Sequence, residues 1–225
     1  MFYQLDNELW FPNPELADED GLLAVGGDLT IERLLLAYNN GIFPWYSDET
    51  PILWYSPHQR FVIYPEKLRI TKSMAKILRS GTFQFSINRC FEDVIENCAT
   101  INRGEEVGTW ITDEMRDAYI NMHKAGFAHS VEVWQNENLV GGLYGIVIND
   151  VFCGESMFSR ASNASKAALI HLCQHGNFKL IDCQLQNDHL VSLGGEFISR
   201  ADYMEIMHGQ KHYSSGLYQG SFPLM

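Results

Sequence analysis

Apolar positions recur with a helical period in some stretches of the chain and alternate with polar ones in others. Ile31, Leu34, Leu35 and Tyr38 repeat at helical spacing behind Thr30, which can cap a helix N-terminus, and Gly41 supplies the stop. Glu32 in the first turn complements the helix dipole. A second helix is predicted from Thr112, with Asp113 and Glu114 in its first turn. Met115, Ala118, Tyr119 and Met122 form its buried stripe, and Gly126 ends it. A shorter, basic helix is expected over 71–79. Three strand-like runs, 128–134, 139–147 and 151–158, are joined by Asn- and Asp-containing turns. A helix over 163–174 stops at Gly176, residues 179–185 read as one more strand, and Ser199 caps a last helix through Met207.

Helix, antiparallel meander, helix, strand is a mixed α/β plan built around one sheet. Residues 41–65 pack aromatics and prolines too densely for a long helix and read as short strands and tight turns. A boundary near 61–66 is therefore expected, dividing a small N-terminal part (1–62) from a larger one (63–225).

With 46% hydrophobic residues, the 225-residue chain has enough apolar side chains for a substantial core. It has no apolar run of the roughly 18 residues that a membrane span needs, and its first residues lack the basic start and apolar stretch of a signal peptide. Five cysteines (Cys90, Cys98, Cys153, Cys173, Cys183), none in a CxxC pair, suit a reducing cytoplasm better than a disulfide framework. The net charge of −12 speaks against a nucleic-acid partner, but the charges are segregated. Ahead of Arg60 stand ten acids and one base, Arg33. From there Arg60, Lys67, Arg69, Lys72, Lys76 and Arg79 face Glu66 alone. Such a stretch is either a solvated helix face or a patch for a partner that is anionic in one place.

The strand LIDCQL sets Asp182 and Gln184 on one face and Ile181 and Cys183 on the other. An acid and an amide side by side in an apolar strand are costly unless paired or working. In FCGESMFSR, strict alternation groups Cys153, Glu155 and Met157 against Phe152, Gly154 and Ser156, but a glycine within a strand often marks a bulge. Glu155 is a candidate for pairing with a basic side chain or amine, or a rim acid beside Arg160. Trp45 and Trp110 sit in glycine-containing turns, where an aromatic ring serves as core, as lid, or as a platform for an exposed base. His171 and His175 share a helix face without a further metal ligand nearby, so no metal is expected. A phosphate loop of the P-loop type is absent.

The blocks GLLAVGGDLTIERLLLAYNNGIFPWYS, ILWYSP, GTWIT, AHSVEVW, LVGGLYG, FCGESMFSRASNASKAAL, LIDCQLQNDH and SLGGEFISR, taken in this order, resemble the leucyl/phenylalanyl-tRNA–protein transferases over roughly residues 20 to 207. Ser199 stands where that family commonly has proline. The resemblance implies a small N-terminal domain and a C-terminal domain of N-acetyltransferase-like fold. It implies transfer of Leu, Phe and less readily Met from charged tRNA to proteins beginning with Lys or Arg, which marks them for degradation. Acetyl-CoA is not implied, and residues 155–175 contain no glycine for a pyrophosphate-cradling loop. No cofactor is expected, and a cytoplasmic monomer is.

By analogy with the family, Asp182 accepts the amine's proton or orients the amine, with Gln184 beside it, and Glu155 holds the incoming basic residue. The terminal adenosine would stack near Trp45 and Trp110, with Tyr38 a further candidate. The aminoacyl side chain would enter a pocket walled by Leu143, Phe152, Met157, Leu169 and Leu172, positions that serve equally as plain core. The stretch from Arg60 to Arg79 would grip tRNA phosphates. Two other classes share parts of this pattern: a CoA-dependent N-acetyltransferase and a non-catalytic binder of aminoacyl-tRNA.

Overall fold

The computed structural model describes residues 2–101 and 111–209. The N-terminal part opens with strand β1 (Tyr3–Leu5), strand β2 (Leu22–Gly26) and helix α1 (Ile31–Asn39), which Thr30 caps by accepting the Arg33 backbone N–H. Short strands β3 (Phe43–Pro44) and β4 (Leu53–Tyr55) complete a four-stranded sheet in the order β1-β2-β4-β3. The next strand, β5 (Gln59–Ile63), leaves this sheet and enters the larger one. The boundary expected between 62 and 63 therefore falls inside a strand, and the two parts are joined by it.

Helix α2 (Lys72–Arg79), β6 (Gln84–Ile87), α3 (Phe91–Thr100) and α4 (Asp113–Lys124) precede the meander of β7 (Ala128–Gln135), β8 (Asn138–Ile148) and β9 (Val151–Ser159). Helix α5 (Ala164–His175), β10 (Leu180–Gln184), α6 (Asp188–Ser192), β11 (Glu196–Ser199) and α7 (Arg200–His208) follow. The seven strands of the large sheet run β11-β5-β10-β9-β8-β7-β6, and only β9 and β10 among these pairs are parallel. The mixed α/β plan and the small N-terminal part agree with the pattern of the sequence. Helix α3 was not predicted, although Phe91, Val94, Ile95 and Cys98 bury at helical spacing behind Glu92 and Asp93.

The sheet is covered on both faces. One face packs α1, α3, α4 and α7 through Leu34, Tyr38, Val94, Met115, Tyr119 and Tyr203. The other packs α2 and α5 through Met74, Ala168, Leu169 and Leu172 against Val131, Phe152 and Ile181. No helix among the described residues is long and apolar enough to cross a membrane.

Two irregularities decide what the centre of the sheet can do. Between β8 and β9, Tyr144 opposes Ser156 but Gly145 opposes Gly154, so Glu155 is an extra residue in its strand. Between β10 and β5, Asp182 opposes Val62 but Gln184 opposes Phe61, so Cys183 is the extra residue there, and Gln184 takes a φ of 60°. A bulge bends its strand and re-aims the side chains beyond it. Strict alternation is broken at both places. Phe152 and Met157, of opposite parity in the sequence, come to line the same cavity.

Gly145 makes the first bulge possible. A Cβ there would lie 2.6 Å from the Phe152 ring and against the Cys153 carbonyl, so β8 and β9 could not close. Gly145→Ala is expected to lower stability by about 3 kcal/mol, the upper range for an overpacked core site, seen as a lower denaturation midpoint with an unchanged slope.

Candidate active site

The parallel ladder between β9 and β10 runs from Leu180 opposite Val151 to Asp182 opposite Cys153. Beyond that rung the two strands part, and a cavity of about 590 Å³ opens between them. Leu143, Phe152, Met157, Leu169, Ile181 and Leu190 give it apolar walls, and Glu155, Ser156, Gln184 and Asn187 supply polar groups. Phe43, Pro44 and Trp45 of the N-terminal part complete the lining. Trp45 is 42% exposed, so its ring is open to a partner.

Asp182 is fully buried and its carboxylate is occupied. Both oxygens face the Arg60 guanidinium, Oδ2 through Nη2 and Oδ1 through Nε at 3.4 Å, and Oδ1 also accepts the Gln184 backbone N–H at 3.0 Å. Arg60 donates in addition to the Gly41 carbonyl at 3.0 Å. Its guanidinium lies between the rings of Phe43 and Tyr203, 4.8 and 4.7 Å from their centroids. Burial works against the charge of Arg60, but the Asp182 carboxylate, the Tyr203 hydroxyl and the Cys153 thiol together hold the guanidinium's pKa above its ordinary value.

Glu155 is differently placed. Its Oε1 accepts from the Tyr38 hydroxyl at 2.7 Å and from the Gln184 side-chain amide at 3.0 Å, and its Oε2 accepts from the Tyr119 hydroxyl at 2.9 Å. The two tyrosine hydroxyls also touch each other. Burial pushes the Glu155 carboxyl up to about 7, against the pull of these three donors, and the nearby Asp182 charge pushes the same way. Among the described carboxyls this one is poised to change protonation near neutrality.

The structure thus brings Asp182, Gln184, Glu155, Trp45, Leu143, Phe152, Met157 and Leu169 to one cavity. Other expectations are corrected. Arg60 cannot grip tRNA, because it is buried and committed to Asp182. Tyr38 cannot stack on a base, because its ring is buried and its hydroxyl holds Glu155. Leu172, one turn beyond Leu169, packs in the apolar core and does not line the cavity. Glu155 is not a rim acid. Trp110 lies outside the described residues.

Lys67 pairs with Glu196 at 2.9 Å on the surface. Arg69, Lys72, Lys76 and Arg79 are exposed, and the last three fall at i, i+4 and i+7 on one face of α2. Tyr119, which the sequence offered only as core, is a site residue whose hydroxyl no local signal reveals. Burial holds the Cys183 thiol well above its ordinary range, so it is not a nucleophile. No group of three metal-ligating side chains occurs among the described residues.

An apolar pocket ending on a half-buried amide and a carboxyl poised near neutrality suits an enzyme that moves an acyl group between carriers. Known proteins narrow that class. The family model of the leucyl/phenylalanyl-tRNA protein transferase matches residues 62–208, and the model of that family's N-terminal domain matches 27–58. Leucyl/phenylalanyl-tRNA–protein transferases from Flavobacterium johnsoniae and Syntrophobacter fumaroxidans are similar throughout. The first is 53% identical over 208 residues, covering 91% of this chain and 98% of the relative. The second is 49% identical over 219 residues, covering 92% and 94%. The chain belongs to the leucyl/phenylalanyl-tRNA–protein transferase family, enzymes that transfer aminoacyl groups from tRNA to proteins.

Among solved structures, L-PGS from Bacillus licheniformis aligns with a TM-score of 0.39 at 13% identity, over 73% of this chain and 53% of that one. A GCN5-related N-acetyltransferase from Kribbella flavida aligns with a TM-score of 0.37 at 12% identity, over 72% and 58%.

The raised Glu155 carboxyl has a consequence for stability. Between about pH 4.5 and 7 the folded protein holds the proton that the unfolded chain has lost, so stability is full below this window and falls as pH rises through it. The loss is on the order of 3 kcal/mol, and Glu155→Gln is expected to remove that slope from urea midpoints measured across the window.

Proposed function

We propose that this enzyme moves Leu and Phe, and less readily Met, from charged tRNA to the N-terminal Lys or Arg of acceptor proteins, creating a degradation signal. It is proposed to act as a cytoplasmic monomer and to need no cofactor, because the aminoacyl ester is already activated. The observation that carries this reading is the convergence of an apolar pocket on Gln184 and Glu155. Leu143, Phe152, Met157 and Leu169 receive the aminoacyl side chain. Flexible and γ-branched walls accept unbranched or γ-branched side chains and Phe, and suit β-branched ones less. The terminal adenine stacks at the exposed ring of Trp45, with Trp110 assigned to the same task.

The acceptor amine has an ordinary pKa of ~8 and attacks as the free base, after its ammonium proton has gone to solvent. As the C–N bond forms, Glu155 takes the proton that the attacking nitrogen sheds and returns it to the ribose oxygen as the C–O bond breaks, so the carboxylate is regenerated. Gln184 orients the reacting groups, and Asp182, held by Arg60, fixes the Gln184 backbone. With three donors already on its carboxyl, Glu155 is assigned to the amine rather than to the acceptor's basic side chain. The exposed face of α2, with Lys72, Lys76 and Arg79, together with Lys67 and Arg69, meets tRNA phosphates without reading sequence.

Transfer of radiolabelled leucine from leucyl-tRNA to a protein beginning with Arg is the direct test. Label is expected on that protein and absent from one with an acidic N-terminus. Glu155→Gln is expected to lower kcat by on the order of 10²-fold or more and to remove the step in rate near pH 7. Intact, bound leucyl-tRNA that never labels the acceptor would overturn the reading. The assignment of α2 has its own measurement: replacing Lys72, Lys76 and Arg79 by Gln should raise KM for aminoacyl-tRNA. Each lost phosphate contact should flatten the salt dependence of binding by about one in slope, leaving kcat in place.

A further inference from the structure

Tyr38, Tyr119 and Glu155 form a closed loop of three oxygen–oxygen contacts that comes from three separate elements. Tyr38 of α1 reaches Oε1, Tyr119 of α4 reaches Oε2, and the two hydroxyls meet each other. All three residues are buried, and Gln184 closes the remaining side of Oε1. Each hydroxyl has one proton to donate. With Glu155 ionised, both protons point to the carboxylate, and the contact between the hydroxyls has no proton of its own. With Glu155 protonated on Oε2, there are three protons for three contacts. Glu155 then donates to Tyr119, Tyr119 turns to donate to Tyr38, and Tyr38 keeps donating to Oε1. Only one hydroxyl rotates between the two states.

From this count we propose that the two tyrosines are positioning residues that hold the transferred proton on Glu155, by closing a hydrogen-bond ring complete only in its protonated form. The proposal rests on Glu155 as proton acceptor and adds how a buried carboxyl keeps the proton between the two half-steps. The proton leaves the acceptor nitrogen, resides on Oε2 within the ring, and passes to the departing ribose oxygen. The ring then returns to its open form with every proton accounted for.

The other groups facing Glu155 do not supply this function. Asp182 from β10 is neutralised by Arg60 from β5, and Gln184 is an amide. Cys153 lies on the same strand with its sulfur at the Tyr203 hydroxyl, and Tyr144 from β8 meets the Tyr119 ring edge-on at 5.7 Å. Burial raises both tyrosines well above their ordinary range, with the Glu155 charge adding to it, so each keeps its proton in either state. Members of such a network act as a unit, and deleting one member removes most of what deleting all removes.

The test compares Tyr38→Phe, Tyr119→Phe and the double variant in steady-state transfer from leucyl-tRNA across pH 5.5–8.5, with Glu155→Gln as the reference. If the ring holds the proton, each single variant lowers kcat about tenfold, the loss of one hydrogen bond's worth of stabilisation. The double variant then falls no further than either single one, the KM for leucyl-tRNA is unchanged, and the pH midpoint moves once. Losses that multiply, midpoints that shift additively, or rates unaffected by either substitution would overturn it. Survival of the step near pH 7 in Glu155→Gln would instead remove Glu155 as the acceptor, a separate failure. Should the variants fold poorly, the infrared band of the protonated Glu155 carboxyl gives a readout independent of turnover. It is expected near neutral pH in the wild type, absent in Glu155→Gln and shifted in frequency in either tyrosine variant. An unshifted band would sink the ring.

Discussion

One guanidinium holds the centre of this protein together. Arg60 lies on β5, the strand that passes from the N-terminal part into the large sheet, and it ties four other elements there. It neutralises Asp182 of β10, donates to the turn after α1 through the Gly41 carbonyl, and is stacked between Phe43 of β3 and Tyr203 of α7. A buried ion pair is weak evidence of added stability, because desolvation takes back much of the attraction. What it provides here is direction. Oδ1 of Asp182 holds the Gln184 backbone in a left-handed turn that few non-glycine residues adopt, and so aims the Gln184 amide at Glu155.

The bulges at Glu155 and Cys183 are the second part of the same construction. A regular strand gives one face to solvent or core and the other to its opposite. With one extra residue in each of two neighbouring strands, polar side chains and apolar walls share one cavity. The strands separate where the parallel ladder ends, so the cavity opens without any loss of regular pairing below it. Gly145 opposite the first bulge is there for space, since the Phe152 ring occupies the position its Cβ would take.

Asp182 and Glu155 show how environment separates two acids that composition treats alike. Asp182 has a full counter-charge in contact, whereas Glu155 has only neutral donors and lies within the influence of the Asp182 charge. The first is an anchor and the second a group that exchanges protons near neutrality. The overall charge of −12 matters little at this depth and matters more outside, where the basic face of α2 stands against an acidic remainder.

Much of this was legible along the chain. Helices α1, α4 and α7, capped by Thr30, Thr112 and Ser199, and the meander β7 to β9 announce themselves through caps and periodic apolar positions, which are local properties. Asp182, Gln184 and Glu155 stood out for the same reason, as polar groups in apolar strands. The partners of these groups did not. Arg60 read as one more charge in a basic run, and only a strand pairing across 122 positions buries it against Asp182. Tyr38 and Tyr119 read as core stripe residues 81 positions apart, and helix packing alone turns their hydroxyls onto one carboxyl. The sequence by itself determined most of the elements and marked Asp182, Gln184 and Glu155 as candidates, because propensity, capping and periodicity act over a few residues. Register, bulge position and the pairing of buried charges were decided by the tertiary structure, because each depends on contacts between segments far apart along the chain.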